Sequence, residues 1–299
     1  MSETIISGAY DMHVHSGPDI MPRKGDFIDL AHHYADAGMA GYVIKSHYFT
    51  SSSWAKVAND KVPECQTFGS IVMNNSIGGM NPYAVDAVGR DGGKMCWFPT
   101  VDTVAAIKKT ENPNEMKRRP FWLDVLLSIK EDGMALNPVR IFGEDGKVLP
   151  EVHDVLDVVK KYDMILATGH ISPEEGQILV KAAYEDHRIR KIIMTHVDSE
   201  LCFYDIPLQQ ELIKKYGVYV EHCSHSRVSG KVTDEVLIPM LKEIPMDHMI
   251  ISTDGGQKKS DWPNEGLLEF CNWIVEEVRI PELELRKAIV ENPKALLFG

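Results

Sequence analysis

The stretch Asp11-Met12-His13-Val14-His15-Ser16 sets the reading of the whole chain. Side chains alternate across a β-strand with a period of two, so histidines at i and i+2 share one side. At a strand end such a pair can meet one first-row metal ion at roughly 2.0–2.1 Å per imidazole without bending the backbone. Alone, the pair fits equally well two histidines decorating a half-exposed strand face.

Three other apolar runs rich in β-branched residues also end on a metal-capable side chain. Residues 164–169 run into His170, residues 191–195 into His196 and residues 248–253 into Asp254. Strand-like ends therefore carry His13, His15, His170, His196 and Asp254.

Between these ends the sequence alternates strand and helix patterns. Residues 5–15 read as strand 1, 27–37 as a helix closed by Gly38, 41–47 as strand 2, 67–74 as strand 3, 82–88 as a helix and 94–100 as strand 4. Strand 5 ends at His170, and Pro173-Glu174-Glu175 opens a helix with proline and acids in its first turn. Strand 6 ends at His196, residues 207–216 form a helix, strand 7 runs from 218 to 222 or 223, and strand 8 ends at Asp254. A last helix covers about 282–290.

Eight strands separated by helices, close to the ~250 residues typical of that fold, predict an α/β protein of the (β/α)8 TIM-barrel type. One domain over residues 1–299 suffices, with an insertion at about 103–150 between strands 4 and 5. Within it, residues 139–149 predict a hairpin turning at Asp145-Gly146. Residues 111–121, with Lys117-Arg118-Arg119, read as a solvated loop rather than an anion site. In such a barrel the carboxyl ends of all strands converge on one face, which brings His13 and Asp254 together although they are far apart in sequence.

Composition limits the functional classes. With 44% hydrophobic and 25% charged residues the chain can bury a large core. A formal net charge of -12, with no larger basic block, disfavours nucleic-acid binding. No apolar run approaches the ~18–20 residues of a membrane span, and no signal-peptide pattern stands at the start, so a cytoplasmic protein is expected. The five cysteines form no C-x-x-C pair and are expected to be reduced, mostly buried thiols. A small-molecule substrate and a homo-oligomer suit this profile, with neither nucleic acid nor membrane as partner.

The ligand order resembles that of the amidohydrolase superfamily, metal-dependent hydrolases in which H-x-H follows strand 1, single histidines end strands 5 and 6, and an aspartate ends strand 8. Asn292-Pro293-Lys294-Ala295-Leu296-Leu297-Phe298-Gly299 is similar to the N-P-A-x-x-x-x-G ending common there. Ser16-Gly17-Pro18-Asp19, Lys45-Ser46-His47-Tyr48, Thr168-Gly169-His170 and Thr253-Asp254-Gly255-Gly256-Gln257 resemble a bacterial family within the superfamily whose substrate is unassigned.

The resemblance implies that His13 and His15 with Asp254 hold the more buried metal, and that His170 and His196 hold a second. Most two-metal relatives bridge the ions from strand 4 with a carboxylated lysine or a glutamate. Here strand 4 closes with Phe98-Pro99-Thr100-Val101-Asp102, which offers neither. Lys45 near the end of strand 2 is the substitute, as a carboxylated bridging lysine. The competing reading is a free Lys45 that pairs with Asp254 or Asp102 in a one-metal site.

Histidine and carboxylate ligands suit Zn2+ best, as two ions or one, and Mn2+, Fe2+ or Ni2+ also fit. Such a centre lowers the pKa of a bound water from 15.7 towards ~7, and the hydroxide attacks a polarised carbonyl or phosphoryl group. Asp254 then acts as both ligand and general base. Substrate contacts are expected from His47, Asn74, Thr100, Glu221, His222, Arg227 and Gln257, with Asn75, Asp102 and His225 as neighbouring candidates. A cationic Arg227 would suit a substrate carboxylate or phosphate. His32, His33, His153, His187 and His248 are assigned to the surface or to the wrong ends of their elements.

The reaction expected first is cleavage of a C–N bond in an amide or cyclic amide. Ester, lactone or phosphoester hydrolysis is the alternative, because the opening motif also resembles polymerase-and-histidinol-phosphatase phosphoesterases, although no late D-x-H follows. A one-metal decarboxylase is disfavoured by His13 where such enzymes carry an acid, and a non-enzymatic metal-binding barrel by the aspartate in the general-base position.

Overall fold

The computed structural model describes residues 4–114 and 119–299, so Lys117 and Arg118 of the basic cluster lie outside the described residues. Among the described residues nine short strands follow one another: β1 Tyr10–Val14, β2 Gly41–Ile44, β3 Gln66–Phe68, β4 Ser70–Val72, β5 Met95–Trp97, β6 Ile165–Ala167, β7 Ile192–Met194, β8 Tyr219–Cys223 and β9 Met249–Ser252. Helices separate them: α1 Phe27–Asp36, α2 Ser52–Lys61, α3 Pro82–Arg90, α4 Val104–Lys108, α5 Phe121–Glu131, α6 Pro150–Lys161, α7 Pro173–Lys181, α8 Ile206–Tyr216, α9 Ser224–Val228 and α10 Asp234–Glu243. Three more, α11 Pro263–Trp273, α12 Glu282–Arg286 and α13 Asn292–Phe298, follow β9. No described helix is long and apolar enough to cross a membrane.

All strand pairs are parallel, in two sheets ordered β1-β2-β3 and β4-β5-β6-β7-β8-β9. The expected third strand is split into β3 and β4 at Gly69. There the start of α2 comes so close that a Cβ would lie 2.2 Å from Ser52 Cα, so only glycine fits. Serines mend the gap, since Ser51 and Ser70 both donate through Oγ to Ile44 O, at 2.8 and 2.6 Å. At the other edge β1 packs beside β9, and Val14 bridges Gly255 in parallel.

Two hydrophobic clusters follow from strands with both faces covered. The inner one takes residues from every strand, among them Met12, Val43, Phe68, Val72, Trp97, Ile165, Ile193, Tyr219 and Ile250. The outer one packs the opposite strand faces against the helices. Helix α13 sits at the inner cluster's amino end through Leu296 and Leu297, and Phe298 meets Tyr10 and Phe68 edge-on at 6.1 and 5.7 Å.

Some expectations need correction. Residues 5–8 form a turn, not the start of a strand, because Gly8 adopts φ +74° and breaks the extended run. The helix expected at 282–290 extends through a π-helical turn, Lys287–Glu291, into α13. In the 139–149 segment only one antiparallel bridge forms, Phe142 with Val148, around the expected turn at Asp145-Gly146.

Candidate metal centre

His13 and His15 reach the interior because β1 is irregular. Asp11 opposes Tyr42 and Val14 opposes Ile44, so three steps on β1 match two on β2. That is a β-bulge, which re-aims the side chains beyond it. Tyr10 and Met12 join the inner cluster, whereas Val14 joins the outer one. Strict alternation from Met12 would have turned both histidines outward.

The bulge is braced by Asp11, which is fully buried. Its Oδ1 accepts from the backbone N–H of His13 and Thr253, both at 3.1 Å, and its Oδ2 accepts from Tyr34 Oη at 2.6 Å and Thr253 Oγ1 at 2.5 Å. Burial alone raises its pKa, and these four donors oppose that rise. Next to this brace Asp254 N donates to His13 O at 2.8 Å, and His15 N to Gly255 O at 2.9 Å. Asp254 and His196 both take left-handed φ values, +48° and +50°. Such backbone costs of order 1–3 kcal/mol per residue and concentrates at functional sites.

Five imidazoles form a closed circuit. Ring centroids lie 5.6 Å apart for His13–His15, 4.9 Å for His15–His47, 5.9 Å for His47–His170, 5.4 Å for His170–His196 and 4.8 Å for His196–His13. Asp254 Oδ1 stands 3.3 Å from His13 Nε2 and 3.1 Å from His15 Nε2, and its Oδ2 is 3.8 Å from His196 Nε2. Lys45 lies fully buried among them, with Nζ 2.9 Å from His13 Nε2 and 4.4 Å from the centre of the Trp97 ring.

Electrostatics favour ligand-ready forms. Burial is the largest influence on His15, His47, His170 and His196 and holds each well below the ordinary 6.5, leaving neutral rings with a free lone pair. For Asp254 burial opposes ionisation, yet His13, the hydrogen bond with His15 and His196 outweigh it and hold the carboxyl well below 3.8. Burial lowers the Lys45 amine from 10.5, against the pull of Asp254 and Glu221.

The donor set fits a divalent cation. His13, His15 and Asp254 each offer a ligand atom within 4.8 Å of the others, and all three are buried. His196 Nδ1 and Glu221 Oε1 are buried with no protein partner. Orphaned donors and acceptors of this kind are costly unless a ligand satisfies them.

The expected substrate contacts divide into several groups. Asn74 and Thr100 set the orientation of His47. Asn74 Oδ1 accepts from Thr100 N at 2.9 Å, while its Nδ2 donates to His47 O at 2.9 Å and Thr100 Oγ1 at 2.7 Å. The Thr100 hydroxyl lies 2.8 Å from His47 Nδ1, and where it donates there His47 carries its proton on Nε2. Glu221 binds His13 Nδ1 through Oε2 at 3.1 Å and orients that ring.

His222 and Arg227 are not brought into the cluster. His222 follows Glu221 on β8 and projects to the opposite face, where Nδ1 lies 2.8 Å from Asp198 Oδ2. Arg227 pairs with Asp234 at 2.8 and 3.1 Å and stacks 3.9 Å from the centre of the Trp273 ring. Gln257 Nε2 donates to Asp254 O at 2.5 Å and braces the loop after β9. Asn75 N donates to Asp102 Oδ2 at 2.8 Å. Lys45 makes no ion pair with Asp254 or Asp102 among the described residues.

The five excluded histidines stay outside the circuit. His32 is exposed, His33 stacks on Trp262 at 3.7 Å, His153 and His187 share a 2.8 Å contact, and His248 lies 3.1 Å from Val218 O.

The cation beside the site is Arg23, not singled out in the sequence. Its Nη2 lies 3.3 Å from His15 Nδ1, and it is paired with the buried Asp19 at 2.6 Å. No periodicity signals the Asp19–Arg23 pair, because residues 19–23 form no helix and the path of the loop brings the two side chains together. Cys223, 3.8 Å from His13 Nδ1, was also missed, although its i+2 spacing from Glu221 places both on one strand face.

The fold is shared with solved structures of the amidohydrolase superfamily. An amidohydrolase II superposes with a TM-score of 0.58 at 12% identity, over 97% of this chain and 100% of that one. An enamidase, described as a new member of the amidohydrolase superfamily, gives 0.56 at 12%, over 97% and 67%. A Xaa-Pro dipeptidase with bound methionine gives 0.55 at 17%, over 97% and 75%. At such identities the likeness is one of fold. No curated protein matches the sequence significantly. A sequence profile described as "Family of unknown function (DUF6282)" matches residues 8–221, from just before β1 into β8, and the chain belongs to that family.

Proposed function

We propose that the protein is a metal-dependent hydrolase that cleaves a C–N bond in an amide or cyclic amide of a small molecule. The observation that carries this reading is the convergence of His13 Nε2 and His15 Nε2 on Asp254 Oδ1, at 3.3 and 3.1 Å, in a buried site at the strand carboxyl ends. The architecture behind it is one closed (β/α)8 barrel with the segment at about 103–150 as an insertion. Support comes from the inner cluster shared by every strand and from the contact of β1 with β9. An enamidase and a dipeptidase among the superposed structures lend support to C–N chemistry, while a structure described as "Putative 2-Pyrone-4,6-Dicarboxylic Acid Hydrolase" that superposes equally well supports the lactone alternative.

His13, His15 and Asp254 would hold one ion, His170 and His196 a second, with Zn2+ preferred by the nitrogen and oxygen donors. Bound there, the ion supplies Lewis acidity, which acidifies a water and polarises the scissile carbonyl. Asp254 stays ionised, so it can accept the water proton and return it to the leaving nitrogen. His47 offers its Nε2–H to the substrate oxygen, held by Thr100 and Asn74. Lys45 is the candidate for carboxylation, because a buried amine of lowered basicity more readily presents the neutral form that reacts with CO2.

Metal-loaded and chelator-stripped protein should be assayed on N-acyl amino acids, hydantoins, lactones and phosphoesters. Turnover of an amide or hydantoin by the loaded form alone is expected. Activity confined to phosphoesters, or inactivity of fully metallated protein across the panel, would overturn the reading.

A further inference from the structure

Behind His13, on the edge away from Asp254, stands a second set of donors with different chemistry. The inward face of β8 carries Glu221 and Cys223, two residues apart. Glu221 Oε2 lies 3.1 Å and Cys223 Sγ 3.8 Å from His13 Nδ1. One ligand atom from each of His13, His196, Glu221 and Cys223 falls within 4.8 Å of every other, and all four residues are buried. Glu221 and Cys223 are fully inaccessible and His196 is 6% exposed. On two residues of this group, Glu221 Oε1 and His196 Nδ1 have no protein partner. A buried carboxylate oxygen and a buried imidazole nitrogen without hydrogen-bond partners, beside a thiol, are costly to desolvate, and a bound cation would offset that cost together with the charge of Lys45.

We propose that Glu221, Cys223, His196 and His13 Nδ1 form a second cation site of mixed sulfur, oxygen and nitrogen donors, which takes Zn2+ or another thiophilic divalent ion. The donor chemistry separates it from the set above it. His13, His15 and Asp254 supply three ligands and leave a position open, whereas four protein ligands close a site against water and substrate. The sulfur also biases selection towards thiophilic metals over Mn2+ or Mg2+. The two sets meet at His13, through opposite ring nitrogens, and at His196, whose Nε2 also lies 3.8 Å from Asp254 Oδ2, so an ion in the second site would compete for the His196 that the hydrolytic reading gives to its second ion. On binding, the Cys223 thiol releases its proton to solvent as the sulfur–metal bond forms, and where His13 Nε2 already holds an ion the His13 Nδ1 proton is released to solvent as well; the ion stays divalent. The proposal stands on this geometry and does not depend on the hydrolytic reading.

The test loads the full-length protein with Cd2+ or Co2+ and reads the thiolate-to-metal charge-transfer absorption. The band is expected in the wild type and in His15→Ala, which dismantles the three-donor set, and is expected to vanish in Cys223→Ser. A band that persists in Cys223→Ser would overturn the proposal. X-ray absorption at the zinc edge of loaded His15→Ala and wild-type protein avoids any folding defect of the serine variant. One sulfur scatterer at about 2.3 Å is expected, and a shell of only nitrogen and oxygen scatterers at about 2.0–2.2 Å would contradict it.

Discussion

Asp11 Oδ2 accepts a 2.5 Å hydrogen bond from Thr253 Oγ1 and so ties the first strand to the loop after the last, across 242 positions of sequence. The same carboxylate takes the backbone N–H of His13 and of Thr253, the residue before Asp254. It is therefore the brace on which two proposed ligands depend. Asp11→Asn puts an amide donor where one oxygen accepted from two hydroxyls, and should cost about 1–3 kcal/mol of stability with a weaker affinity for metal. Urea denaturation and metal titration check this, and an unaltered midpoint and affinity would contradict it.

Asp254→Asn removes the proton acceptor while keeping one oxygen near His13 and His15. Most of the metal should remain, and turnover on the best substrate of the panel should fall by about 10²–10⁴-fold. Metal analysis alongside steady-state kinetics separates the two effects. Unchanged turnover would remove Asp254 from the mechanism.

Arg227 is committed to Asp234 and the Trp273 ring. Arg227→Ala should lower stability by about 0.5–1.5 kcal/mol through the lost stacking and ion pair. Its kcat/KM should match the wild type, and a tenfold or larger loss would return Arg227 to the substrate site.

Acid should destabilise the metal-free protein through its buried histidines. His15, His47, His170 and His196 have folded pKa values well below 6.5, so below that pH the unfolded chain binds protons that the folded one does not. Stability is then complete above about pH 6.5 and falls with acidification by up to about 1.4 kcal/mol per pH unit for each histidine. The depressed Asp254 acts only below its own ordinary 3.8, outside this window. Denaturation midpoints compared at pH 7.5 and 5.5 test the slope, and equal midpoints would show that these rings are solvated.

The strand-end histidines were legible because a strand's two-residue period needs only local sequence, and His13, His15, His47, His170 and His196 do close one circuit. Their wiring was not. The contacts of Asp11 with Thr253 and of Glu221 with His13 span 242 and 208 positions, and only the meeting of distant strands creates them. The bulge in β1 is equally silent in a sequence pattern, since the extra residue shows only against the register of β2. The break at Gly69 arises from the approach of Ser52, and the weak 139–149 hairpin from a turn whose arms form a single bridge. His222 was misplaced by one position of alternation, because Glu221 holds the inward place beside it.

Anomalous diffraction from crystals of the zinc-loaded protein tests the proposed centre most directly. A peak within about 2.0–2.2 Å of His13 Nε2, His15 Nε2 and an Asp254 oxygen is expected, with density beyond Lys45 Nζ where carboxylation has occurred. Loaded crystals with no peak in contact with these three side chains would contradict a metal centre at the strand ends.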